Sequence, residues 1–205
     1  MLTYEEKLSS NVQLAFNEGS MHFEKEGGVH KTLDRLVREL DELQIPYCIV
    51  GGMAMFFHGY RRFTEDVDVL VTQQGLDEIH QRLVGHGYLP PFEGSRNLRD
   101  TETGVRIEFL VTGAFPGDGK PKPVSFPSPQ DTTVVIDGKN FLTLTKLIEL
   151  KLASGLTNPR RARDLADVQD LIATLGLRDD LAAELNESVR SKFYELCKIV
   201  RDFPE

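Results

Sequence analysis

Cysteine is scarce: Cys48 and Cys197 are the only two, one in an apolar strand pattern and one in a helical pattern. Neither a disulfide framework nor a zinc site is indicated, and both read as buried thiols. Long apolar runs are missing too, so no segment reaches the length needed to span a bilayer. The acidic start, Met1-Leu2-Thr3-Tyr4-Glu5-Glu6, lacks the basic and apolar regions of a signal peptide, which makes a cytoplasmic protein with no membrane partner the expectation. Positive charge is in deficit, with 24 Lys and Arg against 32 Asp and Glu and a net charge of −8. That sign repels phosphate backbones at long range and argues against a protein whose main role is to coat nucleic acid. A local basic patch remains in Arg160, Arg161 and Arg163, behind Asn158-Pro159; it reads as a solvated helix start or as a substrate-phosphate contact. Internal repeats, low-complexity tracts and Ser or Cys nucleophile motifs are absent. What is present is ordinary for a globular chain. With 205 residues, 40% hydrophobic and 27% charged, it can bury a core as one domain, or one domain with a small helical appendage.

Apolar periodicity divides the chain into an opening segment (1–28), an α/β core (29–143) and a C-terminal helical region (144–205). The opening segment is polar and supports one helix near 4–16. Val29, Leu33, Leu36, Val37, Leu40 and Leu43 recur at helical spacing, so an amphipathic helix runs to about Gln44 and Pro46 stops it. Residues 47–50 form a short run of β-formers, followed by a tight turn at Gly51-Gly52 and a helix over 53–58. Val67, Val69 and Val71 alternate with Asp66, Asp68 and Leu70, the period-two signature of a strand with one apolar face. A helix over 76–84 precedes a second alternation, in which Val105, Ile107, Phe109 and Val111 face one way and Arg106 and Glu108 the other. The Gly-, Pro- and Ser-rich stretch 112–131 reads as a long surface loop and a candidate lid. Residues 132–136 and 140–142 flank Asp137-Gly138 as a hairpin, with Thr143 as the N-cap of the next helix. Helices over 144–154, 160–175 and 181–200 complete the chain, giving a mixed sheet flanked by helices and followed by a helical bundle.

Asp66 and Asp68 lie two apart on a strand, so both carboxylates project from one face. Unpaired they repel each other, and a shared divalent cation removes that cost; hard oxygen ligands on a rigid strand suit magnesium. Glu108 has the same polar-out placement on a later strand. If the two strands are neighbours, three carboxylates converge, an arrangement more readily explained by function than by stability. The Gly51-Gly52 turn between strand and helix leaves backbone N–H groups open to a phosphate. His58 and His80 each stand alone in a helical stretch and read as packing or solvent-exposed side chains. Arg62 and Thr64 flank the Asp66 strand; Arg62 reads as a phosphate contact or as a partner of Glu65.

Taken together, Val50-Gly51-Gly52-Met53-Ala54, His58-Gly59 and Arg62-Phe63-Thr64-Glu65-Asp66-Val67-Asp68-Val69-Leu70 resemble the signature of the nucleotidyltransferase superfamily related to DNA polymerase β. In that family a Gly-Gly or Gly-Ser turn shortly precedes an Asp-x-Asp strand, and a third carboxylate lies on a later apolar strand, as in Ile107-Glu108-Phe109. Further on, Leu147-Ile148-Glu149-Leu150-Lys151-Leu152-Ala153 and Arg163-Asp164-Leu165-Ala166-Asp167 are similar to the helical half of the bacterial subgroup that includes AbiEii-type toxins. The resemblance covers about residues 47–172. Two positions depart from it, Gly52 where many active members carry serine and Glu108 where many carry aspartate.

The resemblance implies a fold, a site and a reaction. Asp66, Asp68 and Glu108 would hold one or two Mg2+ ions, and Gly51, Gly52, Arg62, Thr64, Lys151, Asp164 and Asp167 would line the site of a nucleotide triphosphate such as ATP. Lys151 reads equally as a phosphate contact or as one end of a salt bridge between helices. The implied reaction transfers a nucleoside monophosphate to an acceptor hydroxyl on tRNA or other RNA, a protein or a small molecule such as an aminoglycoside. A toxin role would imply an antitoxin partner. The competing readings are a nucleotide-binding relative without turnover and a merely structural cation site.

Overall fold

The computed structural model describes residues 3–203. The chain opens with α1 (Tyr4–Ser10) and α2 (Val12–Phe23), two helices where the apolar spacing predicts one. Asn11 is the cause of the break. Its backbone is extended, and its side chain accepts a hydrogen bond from Leu14 N to cap the second helix. A reciprocal Thr3–Glu6 capping box starts the first. The long amphipathic helix α3 (Gly28–Glu42) buries Leu33, Leu36 and Leu40 completely, each contributing roughly 1.5–3 kcal/mol relative to exposure.

The sheet is built from β1 (Tyr47–Val50), β2 (Asp66–Val71), β3 (Tyr88–Leu89), β4 (Leu98–Asp100), β5 (Arg106–Val111), β6 (Thr133–Ile136) and β7 (Lys139–Leu142). Its order is β3-β4-β5-β2-β1-β7-β6. β2 runs parallel to β5 and antiparallel to β1, while β1 runs parallel to β7, so the sheet is mixed. Helix α4 (Gly51–Phe57) follows β1 directly, and α5 (Gln73–Leu83), capped by Thr72, follows β2. All four residues of β1 are buried, as expected of a central strand covered on both faces. The helical region comprises α6 (Leu144–Thr157), α7 (Ala162–Leu175) and α8 (Glu187–Asp202). A 3-10 turn at Asp179–Glu184 separates the last two, so the helix predicted over 181–200 is shorter at its start. Thr143 occupies the N-cap position of α6, but its side chain makes no capping hydrogen bond.

The loop 112–131 is tied down rather than free. Lys122 Nζ donates to Pro116 O (2.6 Å) and Thr157 Oγ1 (2.8 Å), Asn158 Nδ2 donates to Gly117 O (3.1 Å), and Val124 is buried. These contacts dock it on the C-terminal end of α6. Cys48 and Cys197 are free and buried. Among the described residues, no helix is long and apolar enough to cross a membrane.

Candidate active site

The pairing of β2 with β5 places the acidic residues. Asp66 lies opposite Arg106 and Asp68 opposite Glu108, while Val67, Val69, Ile107 and Phe109 turn to the other face and are completely buried. Period-two alternation on two adjacent parallel strands therefore forces Asp66, Asp68, Arg106 and Glu108 onto one surface. One carboxylate oxygen from each of Asp66, Asp68 and Glu108 falls within 4.8 Å of the others. Three oxygen donors on rigid strands, with room beside them, fit a hard divalent cation.

The three carboxylates are not equivalent. Asp66 is held by protein donors on both oxygens, Thr64 Oγ1 on Oδ1 (2.9 Å) and Arg106 Nη2 on Oδ2 (2.7 Å). The same Arg106 nitrogen lies 3.5 Å from Glu108 Oε2. Asp68 bears the strain of the cluster. Burial, then the charges of Asp66 and Glu108, push its carboxyl up to about 7, against the opposing pull of Lys151 and Arg106.

Gly51 and Gly52 close in on this group from the end of β1. Gly51 has φ +62, and a Cβ there would fall inside the Asp68 carboxylate. Only glycine satisfies both demands. The turn expected at this pair is already the first turn of α4. A Cβ at Gly52 would stand 2.7 Å from Thr64 Oγ1, so the buried Thr64 hydroxyl takes the space beside the turn that a larger residue would need.

The opposite wall comes from α6 and α7. Lys151 Nζ donates to Asp167 Oδ2 (2.6 Å) and Asp164 Oδ1 (3.1 Å), and Ser154 Oγ donates to Asp164 Oδ2 (2.6 Å). Arg62 Nη2 reaches Asp167 Oδ2 at 3.2 Å, so its carboxylate partner is Asp167 and not Glu65, three residues on. The carbonyl of Arg62 is in turn bonded to His22 Nε2 (3.1 Å), which ties α2 to the loop before β2. Both walls line one cavity of about 910 Å³. It brings together all ten residues singled out from the sequence: Gly51, Gly52, Arg62, Thr64, Asp66, Asp68, Glu108, Lys151, Asp164 and Asp167. Arg160, Arg161 and Arg163 sit exposed on its rim. His58 and His80 lie outside it, bonded to the carbonyls of Leu142 (2.7 Å) and Arg96 (2.9 Å). Arg106 and Ser154 are site residues to which sequence reasoning gave no role. The alternation placed Arg106 on the acidic face, and only the register with β2 shows what it holds.

No protein-family profile matches the chain, and no curated protein does. Solved structures do. The crystal structure of ANT(2″)-Ia in complex with adenylyl-2″-tobramycin superposes with a TM-score of 0.53 at 13% identity, covering 80% of this chain and 96% of that one. An antigenic nucleotidyltransferase-like protein from Paracoccidioides brasiliensis gives 0.47 at 17% identity over 85% of this chain and 88% of its own. A Thermotoga maritima protein described as a nucleotidyltransferase gives 0.47 at 16% identity over 66% and 89%. The first likeness is one of fold: the chain shares the fold of ANT(2″)-Ia, built here as a mixed sheet with flanking helices and C-terminal helices.

Proposed function

We propose that the chain is a magnesium-dependent nucleotidyltransferase that moves a nucleoside monophosphate from a nucleotide triphosphate to an acceptor hydroxyl and releases pyrophosphate. The observation that carries this reading is the meeting of Asp66, Asp68 and Glu108 on one sheet face beside the Gly51-Gly52 bend. Asp66, Asp68 and Glu108 would hold the metal, which supplies positive charge to the triphosphate during transfer. The backbone of Gly51 and Gly52 receives the phosphates where no side chain intervenes. Lys151 and Arg62, kept in place by Asp167, present cationic groups across the cavity from the acidic face. The acceptor oxygen forms a bond to the α-phosphorus as the bond to pyrophosphate breaks, and the acceptor proton passes to Glu108 or to water. Catalysis on this plan rests on positioning and charge rather than on a covalent intermediate.

The test is incubation with each α-labelled NTP, magnesium and total RNA, protein lysate or aminoglycosides, asking which fraction takes up label. Asp68→Ala should abolish transfer while circular dichroism shows an intact fold; undiminished transfer in that variant refutes the mechanism. The similarity of Lys151 and Arg163 to Asp167 with AbiEii-type toxins supports a toxin role with an antitoxin partner. An adjacent antitoxin gene that relieves growth arrest would support it, and a harmless chain without such a neighbour would not.

A second reading, a nucleotide-binding protein without turnover, is favoured by the guanidinium of Arg106 resting on Asp66 and by the missing serine at Gly52. Calorimetry separates the two: binding of nucleotide with no pyrophosphate release on long incubation selects the second.

A further inference from the structure

Arg106 stands directly across from Asp66 in the β2–β5 register, two residues before Glu108 and on the same face. A single nitrogen of its guanidinium lies 2.7 Å from Asp66 Oδ2 and 3.5 Å from Glu108 Oε2. Those two side chains are also two of the three that can converge on a cation. A positive group that donates to Asp66 and forms an ion pair with Glu108 is therefore seated between oxygens that a divalent ion would have to claim. Asp68, the third member, makes no such ion pair among the described residues; the charges of Lys151 and Arg106 oppose its own without a salt bridge to it.

Resting on the nucleotidyltransferase reading, we propose that Arg106 is a tethered counter-cation that competes with divalent metal for Asp66 and Glu108. In the free protein it holds the acidic face together and keeps metal affinity low. A nucleotide triphosphate offers the guanidinium a stronger, more highly charged set of oxygens, since planar N–H donors match phosphate as well as carboxylate. Moving onto the phosphates, Arg106 releases Asp66 and Glu108, so metal and nucleotide bind with positive coupling. The Arg106 side chain is 40% exposed and faces the cavity, which leaves it free to change partners.

The experiment is calorimetric titration of Mn2+ into wild type, Arg106→Gln, Arg106→Lys and Asp68→Asn without nucleotide, with folding of each checked by circular dichroism. Arg106→Gln should bind Mn2+ more tightly than wild type by about tenfold or more, equivalent to about 1.4 kcal/mol. Arg106→Lys, which keeps the charge but loses the fork of donors, should stay close to wild type. A nonhydrolysable NTP analogue should raise Mn2+ affinity in wild type and do so much less in Arg106→Gln. Were Arg106 only a structural tie between β2 and β5, Arg106→Gln would melt lower with no gain in Mn2+ affinity, and the competition would be refuted. In that case the metal site itself still stands if Asp68→Asn weakens Mn2+ binding. Unchanged binding on adding Asp68→Asn to both wild type and Arg106→Gln would remove the acidic trio as the metal site and take both readings with it.

Discussion

Asp68 gives the most direct physical test of the acidic face. Its carboxyl is raised from 3.8 to about 7 by burial and by Asp66 and Glu108, so the folded protein holds a proton that the unfolded chain releases. Between those two values the native state binds more protons than the unfolded state, and stability therefore falls as pH rises through the window. At 1.36 kcal/mol per pKa unit, the difference of roughly three units corresponds to about 4 kcal/mol, shared by the trio as a unit. The cost is absent near pH 4 and complete above about pH 7. The assay is urea denaturation of wild type and Asp68→Asn across pH 4.5–8.5, in EDTA and again in millimolar MgCl2. In EDTA the variant should gain on wild type steadily as pH rises, because the amide removes the charge without changing the shape. Magnesium should stabilise wild type most at high pH, where its ligands are ionised, and should leave Asp68→Asn nearly unmoved. The variant-minus-wild-type difference is the proper readout, since other groups titrate in the same range. A difference independent of pH in EDTA would refute the claim that the carboxylates meet in a poorly compensated cluster.

His30 works in the opposite sense. Burial, with the nearby His22, lowers it from 6.5 to about 4, so stability present above pH 6.5 is lost as pH falls toward 4. His30→Phe, in a site already lined by Phe56 and Phe57, should flatten acid denaturation by up to about 3 kcal/mol in pH-dependent melting. Lys151→Met strips the buried Asp167 of its 2.6 Å partner. A loss of about 3–5 kcal/mol in urea is expected, and Lys151→Met/Asp167→Asn should lose less. Gly52→Ser drives a side chain against Thr64 Oγ1 and should cost about 1–3 kcal/mol by thermal melting. Adding Thr64→Ala should recover part of that loss, a non-additivity that a double-mutant cycle detects.

The parts of the fold that were legible were those whose periodicity survives in the residues themselves. In β2, valines alternate with Asp66 and Asp68, and in β5 Ile107 and Phe109 alternate with Arg106 and Glu108, so the face of each acid followed from the pattern alone. β3 and β4 span Tyr88–Leu89 and Leu98–Asp100, too short to show alternation, and they exist because β5 offers an edge to β4 and β4 offers one to β3. Apolar spacing near the start carried across Asn11 and concealed the break between α1 and α2, which capping chemistry decides. Partners were harder to read than faces. Arg62 lies close to Glu65 in sequence yet bonds to Asp167, 105 residues away, because α7 brings that carboxylate into the cleft. Arg106 was visible as a residue of the acidic face, but its partner depends on the register of strands 40 residues apart.

The two walls of the cavity differ in how fully their charges are met, and that difference locates the chemistry. On the helical wall, Lys151, Asp164, Asp167, Arg62 and Ser154 form a network in which both carboxylates receive short hydrogen bonds. A network of this kind rigidifies the packing of α6 on α7 and fixes Lys151 and Arg62 at the cavity, with only Arg62 Nε buried and left without a partner in it. On the sheet wall one guanidinium serves two of the three carboxylates, Asp66 and Glu108, and the most confined of the three, Asp68, is left to carry a proton near neutral pH. Folding alone would be better served by an amide or an apolar residue there, because an uncompensated carboxylate destabilises the native state. Gly51 sharpens the point, since its positive φ and missing side chain let the backbone pack directly against the Asp68 carboxylate, which fills the place an ordinary side chain would take. Instability concentrated at one oxygen-rich spot is what the proposed cation and polyphosphate site requires.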